Sequence, residues 1–156
     1  MDEAVLYPGV ALLEATNVSV GRGTDTPFEV LGAPWIDGPR LAAELARSQV
    51  GGVSFEATSF TPQANPYSGS LCHGVRLHVD NRASFEPVRT GIAIAIALRK
   101  LNRDQWNASR LHRMVGDPVV TAAILKPSRI AEVEALFKED LDAFRAKRQK
   151  YLLYPP

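Results

Sequence analysis

Val53-Ser-Phe-Glu-Ala-Thr-Ser-Phe60 and Val75-Arg-Leu-His-Val-Asp80 are the two stretches that decide the fold, because each alternates its side chains with a period of two. Such alternation is typical of a strand with one buried face, so both stretches are predicted to be strands. Residues 61–71, which separate them, contain two prolines, one glycine and three small hydroxyl side chains. This composition is typical of turns and predicts a long loop between the strands.

Two shorter apolar runs precede these strands. Residues 10–14 and 28–31 are short enough to be buried strands, and they enclose a polar segment. A helix over 38–49 is predicted after Asp37, because Pro39 suits a first helical turn and the apolar residues that follow share one face.

Two longer helices are predicted in the second half of the chain. Residues 87–102 alternate isoleucine with alanine, which would also suit a buried strand, but their length and alanine content favour a helix, with Ser84 as its cap. From Ser128 to Tyr151, apolar residues recur every three or four positions, which predicts one long amphipathic helix. Its acidic residues lie near the N-terminal end and its basic residues near the C-terminal end, which is the arrangement that the helix dipole favours. We therefore interpret the basic residues as a solvated helix end rather than as an anion-binding site.

The order of these elements predicts a single domain over residues 1–156. Strands and helices mix without a strict strand, helix, strand repeat, so we expect an α+β, or irregular α/β, fold. It would have a mixed sheet with packed helices and a long C-terminal amphipathic helix.

Composition excludes several classes of function. With 18 basic and 17 acidic residues among 156, the chain has no overall field that would attract nucleic acid, and we expect no such partner. The longest apolar run, residues 92–98, is far below the ~20 residues that a membrane span needs. The three histidines and the single cysteine lack the spacing of a zinc site, so we expect neither metal nor cofactor. No nucleophile and base pair is recognisable, and we assign no catalytic residue.

The polar loop, residues 14–35, is the candidate site. Glycines flank Arg22, so its planar fork of donors could meet a ligand carboxylate, or it could form an internal salt bridge with Glu14 or Asp25. Small polar side chains could bind sugar hydroxyl or acetamido groups, or brace the loop, and the tryptophan could be a sugar platform or part of the core. The candidate ligand-contacting residues are Glu14, Asn17, Ser19, Arg22, Gly23, Thr24 and Trp35.

Six blocks of this sequence resemble the C-terminal half of the NamZ-like bacterial exo-β-N-acetylmuramidases. They are Glu14-Ala-Thr-Asn-Val-Ser-Val-Gly-Arg-Gly-Thr24, Pro27-Phe28, Gly32-Ala-Pro-Trp35, Cys72-His-Gly-Val-Arg-Leu-His-Val79, Phe85-Glu-Pro-Val88 and Tyr151-Leu-Leu-Tyr154. The resemblance spans nearly the whole chain. It implies a peptidoglycan-recycling hydrolase that removes N-acetylmuramic acid from the non-reducing end of glycan fragments. In that family a Rossmann-like N-terminal domain carries the proposed catalytic glutamate, so a chain resembling only the smaller domain is not expected to be active alone.

The resemblance also implies roles for the polar loop. The family's cleft lies between its domains, so the loop would form one wall, with Arg22 facing the lactyl carboxylate of the sugar. The implied partners are a muropeptide or another glycan containing N-acetylmuramic acid, and the N-terminal domain.

Ala15 stands where the family usually has glycine, and residues 65–68 replace its usual lysine-bearing loop, so specificity is open. The alternatives are a free-standing glycan-binding module and a structural domain without ligand contacts. The compartment is also open, and an export signal on the parent protein would make it periplasmic or secreted.

Overall fold

The computed structural model describes residues 2–153, and these form helices packed on a small antiparallel sheet. The helices are α1 (Glu3–Val10), a 3-10 helix (Ala11–Leu13), α2 (Gly38–Arg47), α3 (Pro87–Leu101), α4 (His112–Val115), α5 (Pro118–Ile124), α6 (Ile130–Ala135) and α7 (Lys138–Gln149). The strands are β1 (Val30–Ala33), β2 (Val53–Phe60) and β3 (Cys72–Val79). The predicted α+β class is confirmed. Tyr154, the last residue of the resembling blocks, lies outside the described residues.

The sheet has the order β1-β3-β2, with β3 in the centre. β2 and β3 pair from Val53 opposite Val79 to Phe60 opposite Cys72, so residues 61–71 connect them as a long hairpin loop. β1 pairs with the other edge of β3, also antiparallel. The two strands predicted from alternation are confirmed, but the expected mixed sheet is wrong because every pair in it is antiparallel.

The helix α3 is the centre of the hydrophobic core. Its alanines and isoleucines are buried on nearly every side, which is why the sequence lacks the amphipathic pattern of a surface helix and resembles a strand. It crosses α1 at Gly9 and Gly91, where a Cβ on Gly91 would lie 2.3 Å from the carbonyl oxygen of Gly9. Only the absence of side chains at this crossing lets the two backbones approach so closely.

Three local predictions near these elements are wrong. Residues 10–14 are not a strand, because Leu6, Val10 and Leu13 are buried at helical spacing and the segment closes α1 and the 3-10 helix. The strand predicted to begin at Phe28 begins at Val30, because Phe28 has a φ of 63°. Ser84 does not cap α3, since its hydroxyl donates to the carbonyl of Asn81 at 3.4 Å.

The predicted helix from Ser128 to Tyr151 is two helices, α6 and α7. Phe137 interrupts them with φ of −119° and ψ of 7°, outside the helical region. Val133 on α6 is buried, but α7 buries none of its residues, and the ring of Phe144 is exposed. The short helices α4 and α5 were not predicted. None of the described helices is both long and apolar enough to cross a membrane.

Candidate functional site

The polar loop has the bent backbone that its glycines predict. Gly21 and Gly23 have φ of 79° and 77°, and the Thr24 amide donates to the carbonyl of Gly21 at 3.0 Å. Ser19 and Gly32 exchange two backbone hydrogen bonds at 2.8 and 2.9 Å, which fasten the loop to the edge of β1. The tip of the loop, from residue 21 to 25, therefore projects from a fixed base.

Arg22 lies at this tip with its guanidinium held on two sides. Its Nε donates to a carboxylate oxygen of Glu14, and its Cζ lies 5.0 Å from the centroid of the Phe28 ring. The hydrogen bond from Nε to Glu14 raises the pKa of Arg22 above its ordinary value, so the guanidinium is charged. The side chain is 52% exposed, and its terminal nitrogens meet no acceptor among residues 2–153. The guanidinium is thus positioned, charged and open on one edge.

The ring beneath Arg22 is supplied by a strained residue. Phe28 is buried, yet it adopts the left-handed region, which is rare for a bulky side chain and carries strain. Its amide donates to the carbonyl of Val20 at 2.8 Å, and Tyr7 packs edge-on against its ring at 4.8 Å between centroids. These contacts hold the ring where it faces the guanidinium. No sequence pattern indicates this role of Phe28, because the role depends on a backbone angle.

Two of the small polar residues are engaged within the loop. Ser19 is 1% exposed, and its hydroxyl accepts from the amide of Gly21 at 3.3 Å. The hydroxyl of Thr24 donates to the carbonyl of Gly21 at 2.7 Å and accepts from the Thr26 amide at 3.2 Å. In this structure both side chains brace the loop, which is one of the two roles that the sequence left open.

Asn17 links the polar loop to two other parts of the chain. Its side chain donates to the carbonyl of Gln105 at 2.9 Å and accepts from the amide of Asn107 at 2.6 Å. Its own carbonyl accepts from the hydroxyl of Tyr67 at 3.0 Å, and that hydroxyl accepts from Nε1 of Trp35 at 2.9 Å. Trp35 is half-buried in this arrangement. Tyr67 was not predicted from the sequence, where its only signal is an aromatic ring among turn residues.

The second loop, residues 61–71, packs directly against the tip of the polar loop. The Gln63 amide donates to the carbonyl of Gly23 at 3.0 Å. A Cβ on Gly23 would lie 2.5 Å from the backbone nitrogen of Ala64, so only glycine fits there. The two loops therefore form one surface, with Gly23 at their contact.

Cys72 and two of the histidines are other side chains that could carry chemistry. Burial of Cys72 raises the pKa of its thiol, which keeps it protonated and poorly nucleophilic. On the sheet, the ring of His78 lies 3.0 Å from the carboxylate of Glu56, and that of His73 lies 2.8 Å from the hydroxyl of Ser59. Within residues 2–153, no three His, Cys, Asp or Glu side chains are grouped to hold a metal ion.

Comparison with known proteins identifies the relatives of this chain. Residues 5–154 match the family described as exo-beta-N-acetylmuramidase NamZ, C-terminal. The chain is 33% identical over 157 residues to peptidoglycan beta-N-acetylmuramidase NamZ of Bacillus subtilis (strain 168), covering 99% of this chain and 38% of that protein.

Two crystal structures of DUF1343 family proteins from Bacteroides fragilis NCTC 9343 are similar to it. One superposes with a TM-score of 0.78 at 22% identity, over 97% of this chain and 42% of that one. The other has a TM-score of 0.66 at 29% identity, over 96% and 40%. The chain thus spans about two fifths of the length of these relatives. The match over residues 5–154 shows that the chain belongs to the family of NamZ C-terminal domains.

Proposed function

We propose that this domain serves a peptidoglycan β-N-acetylmuramidase, in which the polar loop forms one wall of the cleft that receives N-acetylmuramic acid. Family membership and the activity named for the Bacillus subtilis relative support the enzyme class. The catalytic groups would come from the other domain of the parent protein. That division is consistent with a chain that spans 38% of the length of the relative.

The observation that carries the proposal is the geometry of Arg22. N-acetylmuramic acid differs from N-acetylglucosamine by a lactyl ether that ends in a carboxylate. A guanidinium binds a carboxylate through its planar fork of N–H donors, and this one keeps its terminal nitrogens open while Glu14 holds its Nε. Because the contacts with Glu14 and the ring of Phe28 already restrict the side chain, binding would cost less conformational entropy than a free arginine would.

We assign the remaining loop residues to two roles. Trp35 is half-buried and held through its Nε1, so its ring is the candidate surface for the apolar face of a sugar. Asn17, Ser19, Gly23 and Thr24 would shape the wall rather than touch the ligand, because their hydrogen bonds or contacts already tie the loop together. These contacts are the Asn17 bridges, the buried Ser19 hydroxyl, the Gly23 contact with the second loop and the Thr24 turn.

The test compares two sugars on the ¹⁵N-labelled chain by NMR titration. The methyl β-glycoside of N-acetylmuramic acid should shift amides of the polar loop, and the N-acetylglucosamine analogue should bind more weakly. Hydrogen bonds to charged groups contribute about 1.5–3 kcal/mol, so Arg22→Ala should weaken muramic acid binding by about 10- to 150-fold. Arg22→Lys should recover only part of this loss, because an ammonium lacks the planar fork.

Arg148→Ala is the matched control, since Arg148 is an exposed arginine on α7, a helix that buries none of its residues. If Arg22→Ala weakened the binding of both sugars by the same factor, Arg22 would not be the residue that recognises the carboxylate. Hydrolysis of a chromogenic muramoside by this chain alone would show that its catalytic groups are not confined to another domain. Binding by the parent protein without hydrolysis would instead indicate a glycan-binding module.

A further inference from the structure

A cleft of about 620 Å³ lies between the C-terminal end of α3 and the connection from α5 to α6. None of its lining residues belongs to the polar loop. Five of them are basic and one is acidic, and the basic residues come from both segments. They are Arg99, Lys100, Arg103, Lys126 and Arg129.

Two of the five cations have carboxylate partners. Lys100 lies 2.6 Å from a carboxylate oxygen of Glu44, and Arg129 lies 2.7 Å from one of Glu132. No carboxylate of residues 2–153 pairs with the other three, which are Arg99, Arg103 and Lys126. The cleft therefore carries uncompensated positive charge in a chain whose formal net charge is only +1.

Arg99 is the most informative of the three. Its side chain is half-buried, and its Nε and Nη1 donate to the backbone carbonyls of Leu125 and Arg103, at 3.0 and 3.4 Å. Charged groups that are partly removed from water are usually paired with an opposite charge, and two carbonyls supply only dipoles. The carbonyls fix the guanidinium while leaving its charge available to an anion.

The helix dipole does not by itself explain this arrangement. It favours Arg99 and Lys100, which lie in the last turn of α3. Arg103 lies beyond the end of that helix, and Lys126 reaches the cleft from the α5 to α6 connection. Convergence of two chain segments on one concave surface is typical of a ligand site.

We propose that this cleft binds a small organic anion with two or three negative charges, either a phosphate ester or a polycarboxylate. Arg99, Arg103 and Lys126 would neutralise the anionic groups, and the fork of each arginine suits oxygens of either chemistry. Ile96 and Pro127 also line the cleft and supply an apolar surface for the carbon part of the ligand. The inference is independent of the muramic acid proposal, because the two sites share no residue.

The experiment titrates the ¹⁵N-labelled chain with pyrophosphate and with citrate at low ionic strength, and uses acetate as the monoanion control. Saturable shifts should be confined to residues 96–103 and 125–132, with affinity at least about tenfold above that of acetate. Arg103→Glu and Lys126→Glu should each weaken binding by about tenfold or more. Both side chains are exposed, so these variants should keep the wild-type circular dichroism spectrum and melting temperature. Arg113→Glu makes the same change of charge outside the cleft and should leave binding nearly unchanged.

Binding of pyrophosphate alone would identify the ligand class as phosphate, and binding of citrate alone would identify it as polycarboxylate. Binding of both would support recognition by charge. The proposal is overturned if neither probe saturates, if acetate binds as well, or if Arg113→Glu weakens binding as much as the cleft variants do. Loss of muramic acid binding on Arg22→Ala would leave this result unaffected, so the two proposals fail separately.

Discussion

Substitution of Gly23 by alanine should separate the polar loop from the second loop. Gly23 has a φ of 77°, and its missing Cβ would lie 2.5 Å from the backbone nitrogen of Ala64 and 2.9 Å from that of Gln63. Backbone atoms cannot rotate away as a side chain can. The alanine methyl therefore forces one loop to move, and this movement breaks the hydrogen bond from the Gln63 amide to the Gly23 carbonyl.

The expected cost has two parts. The left-handed conformation costs an alanine about 1–2 kcal/mol. Displacement of the second loop adds about 1–3 kcal/mol for overpacking, which includes the lost hydrogen bond of about 1 kcal/mol. We therefore expect Gly23→Ala to reduce the free energy of unfolding by about 2–5 kcal/mol.

Gly116→Ala is the control, because Gly116 also has a φ of 77° but no atom lies within 4 Å of its missing Cβ. Gly116→Ala should therefore reduce the free energy of unfolding only by the cost of the left-handed conformation. Gly69→Ala adds a second control within the second loop itself, with a φ of 73° and equally open space. Thermal unfolding followed by circular dichroism should place Gly23→Ala about 4–8 °C below Gly116→Ala, for a difference of about 2 kcal/mol. Equal melting temperatures for the two variants would refute the argument that the loops are in close contact.

Two further predictions concern the hydrogen bonds and the thiol. Tyr67→Phe should reduce the free energy of unfolding by about 1–3 kcal/mol in urea titrations, because it removes the hydroxyl shared by Trp35 and Asn17. Tyr7→Phe is the control and should change the free energy of unfolding by no more than about 0.5 kcal/mol, since the Tyr7 hydroxyl has no hydrogen-bond partner in residues 2–153. Similar losses of stability in both variants would contradict a stabilising role for the Tyr67 hydroxyl. Cys72 should react slowly with a thiol reagent in the native protein and quickly in urea, because it is fully buried and burial raises its pKa. Native labelling as fast as that of the unfolded chain would show that the thiol is accessible.

The secondary structure was predictable where the spacing of apolar residues in a segment agrees with which of its side chains are buried. In β3, Val75 and Leu77 are buried while Arg76 and His78 face the other side of the sheet, but in β2 the match ends after Glu56, where Ala57 is exposed and Thr58 is partly buried. Likewise α2 follows the capping carboxylate of Asp37, which accepts from the Arg40 amide at 3.0 Å. The break at Phe137 was not predictable, since three- and four-residue spacing continues on both sides of it and α7 has no buried face to reveal the change.

The sequence by itself determined the polar loop, because glycines and small polar residues act through turns and hydrogen bonds between near neighbours. Only the tertiary structure decided which partner Arg22 takes: it pairs with Glu14, whereas Asp25 was an equal candidate. It also brought Tyr67 against Trp35 and gathered basic residues from two separate segments of the chain into one cleft. The Trp35 to Tyr67 contact and the cleft join residues far apart in the chain, so they depend on how the whole core packs, which no local pattern records.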